Sequence, residues 1–315
     1  MRIIFMGTPA FAVPTLQALT ESTHEVVAVY TQPDKVQGRG QKLIFPPVKE
    51  FAVSKGIPVL QPEKLGKRAV LDEMRSFSAD VIVVAAFGKI LRPSVLEMTR
   101  YGCLNVHASL LPKYRGAAPV QWAILEGEKT TGVTVMQMNE GLDTGDMLRF
   151  KEIPILPEDT GDTLEERLAQ LGGPLILEVL RDLESGTIAP VPQPEESPSV
   201  YAKMLDKEMG LLDFSEPAEQ LVLKIRALNS WPSAYTFLNG KMLKIWRAKS
   251  EETLSTAEPG TVTDVTKHSF LVQCGKDALR ILELQPEGKK RMDTDAFMRG
   301  TKITDGMRFS SGREA

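Results

Sequence analysis

The first half of the chain is organised by continuously apolar runs separated by polar, glycine- and proline-containing turns. Arg2–Met6, Val26–Tyr30 and Ala79–Ala86 are such runs, the pattern of strands buried on both faces. Between them, Phe11–Glu21, Pro46–Lys55 and Lys67–Phe77 predict helices. Alternation of apolar strand and helix predicts an α/β fold built on a doubly wound, Rossmann-like parallel sheet. A short apolar strand opens the stretch Gly102–Pro119, which turns irregular after His107. A helix over Ala117–Glu126, strands over Thr131–Met138 and Met147–Ile155, and a helix over Thr163–Ser185 complete the unit. Thr163 and Glu166 have the spacing of a capping pair at the start of that last helix.

The pattern then changes. Thr187–Ser199 carries Pro190, Pro192, Pro194 and Pro198 beside Glu195 and Glu196, and predicts an extended connection. The expected division is a first domain over residues 1–189, a linker over 190–205 and a second domain over 206–315. Beyond Asp206 there is one helix, about Pro217–Leu228, and then short alternating runs: Ala234–Leu238, Met242–Ala248, Gly260–Val265, Ser269–Cys274 and Ala278–Leu284. With turn signals such as Asn239-Gly240 they predict a small β-barrel or sandwich.

Composition narrows the classes. The 315 residues are 42% hydrophobic and 25% charged with a formal net charge of −3, which excludes a globally basic nucleic-acid binder but not a local basic patch. Cys103 and Cys274 are far apart with no metal-ligand spacing, so neither a disulfide nor a metal site is expected. The first residues run straight into a strand and no apolar run is long enough to span a bilayer, so no membrane association and a cytoplasmic location are expected.

Candidate chemistry is concentrated in a few places. The first turn, Gly7-Thr-Pro-Ala-Phe-Ala, lacks the G-x-G-x-x-G of a dinucleotide site. Asn105 and His107 lie two apart on a strand, so their side chains share a face and could donate together to one oxygen, as an acyl-transfer transition state requires. A satisfied core histidine fits the same spacing. Asp143, in the loop after Thr131–Met138, reaches the same crevice if neighbouring strands end together. Ser109 and Cys103 are nucleophiles by type only, which leaves direct attack by an external amine on an activated carbonyl, with Asp143 moving the proton. The loop Thr31–Pro47, with Lys35, Arg39 and Lys42 around Gly38 and Gly40, suits a ligand contact or a plain solvated loop. From Gln220 to Ser250 the basic residues Lys224, Arg226, Lys241, Lys244, Arg247 and Lys249 occur without an acidic one, interleaved with Trp231, Tyr235 and Trp246, and Lys289-Lys290-Arg291 follows. That pattern suits a phosphate backbone and equally a solvated β-face.

Asn105-Val-His107 followed by Ser109-Leu-Leu-Pro112, Gly116, Pro119 and Leu142-Asp-Thr-Gly145 resembles the family of formyltransferases that use 10-formyltetrahydrofolate. Three other features are similar to the branch of that family acting on tRNA: Phe5-Met-Gly-Thr-Pro-Ala-Phe-Ala12, the loop Thr31-Gln-Pro-Asp34 through Gly38-Arg-Gly40, and the pair Ile225-Arg-Ala-Leu-Asn-Ser-Trp-Pro232 and Leu284-Gln-Pro-Glu-Gly-Lys-Lys290. The resemblance implies a monomer that passes a formyl group from 10-formyltetrahydrofolate, its folate co-substrate, to methionyl initiator tRNA without a metal. It implies Asn105, His107 and Asp143 as the catalytic residues. Ser109, Leu110, Leu111 and Pro112 would line the folate site, with Phe87, Gly88, Ile90, Leu91 and the Asn139–Asp143 loop at the pteridine. Arg39, flanked by Lys35 and Lys42, would approach the tRNA acceptor end. An OB-like barrel would present Lys241, Lys244, Arg247, Lys289 and Lys290 to the same RNA. Ala108 stands where relatives often have glycine or proline. A hydrolase releasing formate from the same folate, transfer to a small amine, and an RNA-binding module with an inactive α/β domain remain as alternatives, and the first two leave the basic second domain unexplained.

Overall fold

The computed structural model describes residues 1–37, 42–310 and 312. Its contacts group the chain into two compact units, one of Met1–Pro119, Thr130–Pro154 and Glu165–Ala202, the other of Val120–Lys129, Ile155–Leu164 and Lys203–Ala315.

The first unit is a mixed sheet. Its strands are β1 (Arg2–Gly7), β2 (Glu25–Tyr30), a separate hairpin of β3 (Lys35–Gln37) and β4 (Lys42–Ile44), then β5 (Val59–Leu60), β6 (Val81–Ala85), β7 (Cys103–His107), β8 (Thr130–Gln137) and β9 (Met147–Pro154). The spatial order is β5-β2-β1-β6-β7-β8-β9. The five strands from β5 to β7 run parallel; β8 and β9 run antiparallel to their neighbours. The apolar runs behave as expected: on one side of the sheet Ile4, Met6, Ala28, Tyr30, Ile82 and Val84 pack with Leu65, Met74 and Leu96. Val59–Leu60 is too short a strand for any periodicity to announce. The helix Gly161–Ser185 starts before the expected Thr163, and its cap is Thr160 with Thr163 rather than Thr163 with Glu166. Thr160 N–H donates to Thr163 Oγ1 at 2.9 Å and Thr163 N–H to Thr160 Oγ1 at 3.3 Å, a reciprocal pair that satisfies two end groups of the helix. The proline-rich residues up to Ala202 belong to this unit.

The second unit is antiparallel. β10 (Ala234–Leu238), β11 (Lys241–Glu251), β12 (Val262–Thr263), β13 (Leu271–Gln273), β14 (Ala278–Pro286), β15 (Met292–Asp293) and β16 (Phe309–Ser310) form a sheet in the order β12-β13-β14-β11-β10-β16, with β15 paired to β14. Its two ends meet: Val262 N–H donates to Met307 O at 2.7 Å and Phe309 N–H to Gly260 O at 2.8 Å. Closure removes the exposed edges and makes the sheet a small barrel. The β10–β11 turn, Asn239-Gly240, has φ of 50° and 69°, the left-handed pair that a two-residue hairpin demands. Leu221 and Ile225 of the helix Ala218–Ala227 pack into a core with Leu243, Ile245, Phe270, Leu279 and Ile281.

Candidate active site

β7 carries Asn105 and His107 on one face of the first unit, both nearly enclosed at 9% and 6% exposure. Asp143 joins them, but not by the route the sequence suggested. β8 is antiparallel to β7, with Leu104 opposite Gln137 and His107 opposite Thr134, so the carboxyl end of β8 abuts the start of β7. The following loop therefore doubles back over the face that Asn105 and His107 present. Two backbone features allow it. Asp143 takes a left-handed φ of 54°. Gly145 presses so closely on the end of β8 that a Cβ there would stand 1.7 Å from the Gln137 carbonyl oxygen.

The three side chains converge on one carboxylate oxygen. Asp143 Oδ1 is 3.5 Å from Asn105 Nδ2 and 3.7 Å from His107 Nδ1. Both distances are long for a hydrogen bond, so the oxygen is approached by two nitrogens and tightly held by neither. Asp143 Oδ2 is the anchored oxygen, accepting the Gly116 N–H at 3.0 Å. His107 Nε2 lies 3.1 Å from the Tyr114 carbonyl, which only accepts, so Nε2 carries a proton and Nδ1 is left to exchange one beside Asp143. Neither nucleophile by type is poised to attack. Burial pushes the Cys103 thiol up to about 12, and the Ser109 hydroxyl, fully buried, donates to Lys113 O at 2.6 Å.

The candidate folate residues fall in two places. Phe87, buried, lies two residues beyond β6 with its carbonyl accepting from Thr8 Oγ1 at 3.2 Å and Gln32 Nε2 at 3.0 Å. Beyond it Gly88 has a φ of 77°, Ile90 is 74% exposed and Leu91 is buried. On the other side, Thr134 Oγ1 donates to Ser109 O at 2.7 Å and accepts the Leu111 N–H at 3.1 Å, which fixes the turn after β7. Leu110 and Pro112 line a cavity of about 350 Å³ with Thr131 and Glu152, among whose lining residues are neither Asn105, His107 and Asp143 nor Phe87 to Leu91.

Of the basic candidates, Lys35 is exposed on β3, Lys42 lies in β4, and Arg39 lies outside the described residues. The base of this hairpin is clasped by a group that sequence inspection missed. Lys49 Nζ donates to Asp34 Oδ2 at 2.6 Å and Gln61 Oε1 at 2.8 Å while lying 4.1 Å over the Phe45 ring. The Lys49 bond and a second from Gln61 Nε2 to Asp34 Oδ1 at 2.8 Å hold the Asp34 carboxyl below the usual carboxylate range.

In the second unit, several cations of the acid-free run meet acids or carbonyls brought from elsewhere in the chain. Arg247 pairs with Glu283 at 3.9 Å, Lys249 with Glu251 at 2.7 Å and Lys224 with Glu216 at 3.4 Å. Arg226 donates to the carbonyls of Asp159 and Leu156, each at 2.8 Å. Arg291 grips Glu283 and lies 4.7 Å over the Trp246 ring. Among the described residues, Lys241, Lys244, Lys289 and Lys290 have no carboxylate partner. Lys244 Nζ donates instead to Ser233 Oγ at 3.3 Å. Among the described residues no cluster of His, Cys, Asp and Glu is arranged for a metal, and no helix is long and apolar enough to cross a membrane.

Two family models match the chain: formyl transferase over residues 1–180, and formyl transferase, C-terminal domain, over residues 204–302. The methionyl-tRNA formyltransferase of Lachnospira eligens is 50% identical over 312 residues, covering 98% of this chain and 99% of its own. That of Agathobacter rectalis is 49% identical over 310 residues, covering 98% and 100%. Among solved structures, WlaRD, a sugar 3N-formyl transferase crystallised in the presence of dTDP and 5-N-formyl-THF, aligns with a TM-score of 0.63 at 19% identity over 92% of this chain and 99% of that one. HypX from Aquifex aeolicus, in complex with tetrahydrofolic acid, aligns with a TM-score of 0.63 at 20% identity over 95% of this chain, which spans 47% of the HypX chain. At these identities the two structures speak for the fold alone.

Proposed function

The chain belongs to the formyl transferase family, and from that premise we propose that it moves the formyl group of 10-formyltetrahydrofolate to the amino group of methionyl initiator tRNA. The observation that carries this is the approach of Asn105 and His107 to one carboxylate oxygen of Asp143, with neither Cys103 nor Ser109 poised to attack, in a chain whose near-full-length relatives bear that activity in their name.

The chemistry follows from the side chains. The methionyl amine attacks the formyl carbon directly. Asn105 Nδ2 and His107 Nδ1 stand 3.5 Å and 3.7 Å from Asp143 Oδ1, so a formyl oxygen seated beside that carboxylate and within reach of both nitrogens meets two donors as its negative charge grows, once His107 carries a proton on Nδ1. The attacking nitrogen must lose a proton, and Asp143 Oδ1, the oxygen not tied to Gly116, accepts it. The amine then keeps the formyl group and tetrahydrofolate leaves with a proton on the nitrogen that carried it. The Phe87–Leu91 turn and the Ser109–Pro112 turn are the segments proposed to hold the folate. Arg39 is proposed for the acceptor end of the tRNA, with Lys35 and Lys42 beside it. Lys241, Lys244, Lys289 and Lys290 are proposed for its phosphates. Arg247 is the weaker member of that set, because Glu283 already faces it.

The test is incubation with formyl-labelled 10-formyltetrahydrofolate and methionyl initiator tRNA. Label is expected in the RNA fraction and to depend on the charged methionine. Label released as formate with or without tRNA would instead identify the hydrolase alternative, in which water occupies the place of the amine.

A further inference from the structure

The loop bearing Asp143 is also held from outside itself. Gln193, in the proline-rich segment that looked like a linker, donates through Nε2 to the Asp143 carbonyl at 2.9 Å and to the Gly145 carbonyl at 2.7 Å. Its Oε1 accepts from Arg115 Nε at 3.0 Å. The amide has one workable orientation. The two carbonyls can only accept and the guanidinium can only donate, so exchanging oxygen and nitrogen would break all three bonds. Arg115, 8% exposed, is in turn set by the carbonyls of Glu195 at 3.0 Å and Pro194 at 2.7 Å. The same segment reaches the His107 side of the site: Ser199 Oγ accepts the N–H of Tyr114 at 2.7 Å, and Tyr114 O receives His107 Nε2.

A left-handed backbone is unfavourable for a residue with a Cβ and persists where its surroundings hold it. Among the described residues the other ties at this turn are Asn139 Oδ1 accepting from Gly141 N–H and Thr144 Oγ1, the Gln137 N–H donating to Asp146 O at 2.9 Å, and the Gly116 N–H and Asn105 Nδ2 at the Asp143 carboxylate, none of which reaches the Asp143 or Gly145 carbonyl. Gln193 grips the 143–144 and 145–146 peptide groups, on either side of the Thr144–Gly145 step. Resting on the reading of Asp143 as the carboxylate that takes the amine's proton, we propose that Gln193 is a positioning residue, oriented by Arg115, which holds the Asp143 backbone so that its free carboxylate oxygen faces Asn105 and His107.

The test uses Gln193→Met, which keeps the length and removes the donors, and Gln193→Glu, which keeps an acceptor for Arg115 and loses the donors to the loop. Each is assayed with saturating methionyl-tRNA and 10-formyltetrahydrofolate, alone and in an Asp143→Asn background. Misplacement of the carboxylate predicts that kcat falls roughly ten- to a hundredfold with KM for both substrates within about threefold. Once Asp143 is Asn nothing remains to be positioned, so the Gln193 exchange then costs less than about twofold. A loss of equal size in both backgrounds would mean that Gln193 serves only the fold and overturns the proposal, as would an unchanged kcat in Gln193→Glu. If Gln193→Met does not fold, Gln193→Glu is compared in the same two backgrounds. Normal turnover by Asp143→Asn alone would overturn the carboxylate reading itself, and the inference with it, whatever Gln193 does.

Discussion

Exchanging Asp143 for Asn replaces one carboxylate oxygen with an amide nitrogen and leaves the size of the side chain unchanged. The oxygen that remains can keep the Gly116 N–H, now 3.0 Å from Oδ2. The new NH₂ then faces Asn105 Nδ2 and His107 Nδ1, which stand 3.5 Å and 3.7 Å from Oδ1 in the native side chain. The site therefore loses its proton acceptor and its negative charge while its anchoring bond survives. Removing a general base costs about 10²- to 10⁴-fold in rate, which is roughly 3–5 kcal/mol of transition-state stabilisation. The fold should scarcely respond: one carboxylate acceptor becomes an amide acceptor at a group 19% exposed, a change worth less than about 1 kcal/mol. Single-turnover formylation of methionyl-tRNA by rapid quench, with thermal unfolding in parallel, separates the two effects. A variant that formylates within about threefold of the native rate would refute the role of Asp143. A variant that loses activity together with its unfolding transition would refute the separation of chemistry from fold.

Other consequences follow from the same structure. Burial raises both thiols, Cys103 and Cys274, to about 12, so native protein at pH 8 should resist thiol alkylation, whereas denatured protein reacts at both; fast native labelling of either would contradict the burial. Glu251 is drawn down to about 2 by its bonds from Arg280 and Lys249. A depressed carboxylate stabilises above its unfolded value and loses that contribution as pH falls through the folded one. Glu251→Gln should therefore melt below the native chain at pH 7, and the gap should close between the ordinary 4.5 and about 2; a gap that persists at the acid end would remove the charge from the explanation. Replacing Lys289 and Lys290 together with Glu should raise KM for methionyl-tRNA, leave KM for the folate unchanged, and flatten the salt dependence of tRNA binding by about 1–2 in log–log slope. An unchanged slope would take these lysines off the RNA.

What could be read from the chain, and what could not, divides along physical lines. β1, β2 and β6 were legible because strands covered on both faces need unbroken apolar runs. β8 was legible as a strand but not in its direction, since its burial pattern is the same whichever way it runs. Asn105 and His107 sharing a face follows from strand geometry alone. The arrival of Asp143 depends on an antiparallel neighbour and a loop that doubles back, which local sequence does not encode. The partner of Arg247 in the basic run from Gln220 to Ser250 was hidden for a similar reason: Glu283 comes from a different strand that pairs only in the folded barrel. Gln193 was hidden inside a stretch whose prolines advertise an open connection, although its amide is spent on Arg115 and on the carbonyls of Asp143 and Gly145.

The most direct measurement of the central claim is single-turnover partitioning of the labelled formyl group by the native chain and by His107→Asn, with methionyl initiator tRNA and with water as the competing acceptors. The account predicts label on the methionine of the tRNA with the native chain and a loss of about a hundredfold or more in that rate with His107→Asn. Label that goes to formate, or transfer to tRNA at the native rate without the His107 imidazole, would contradict it.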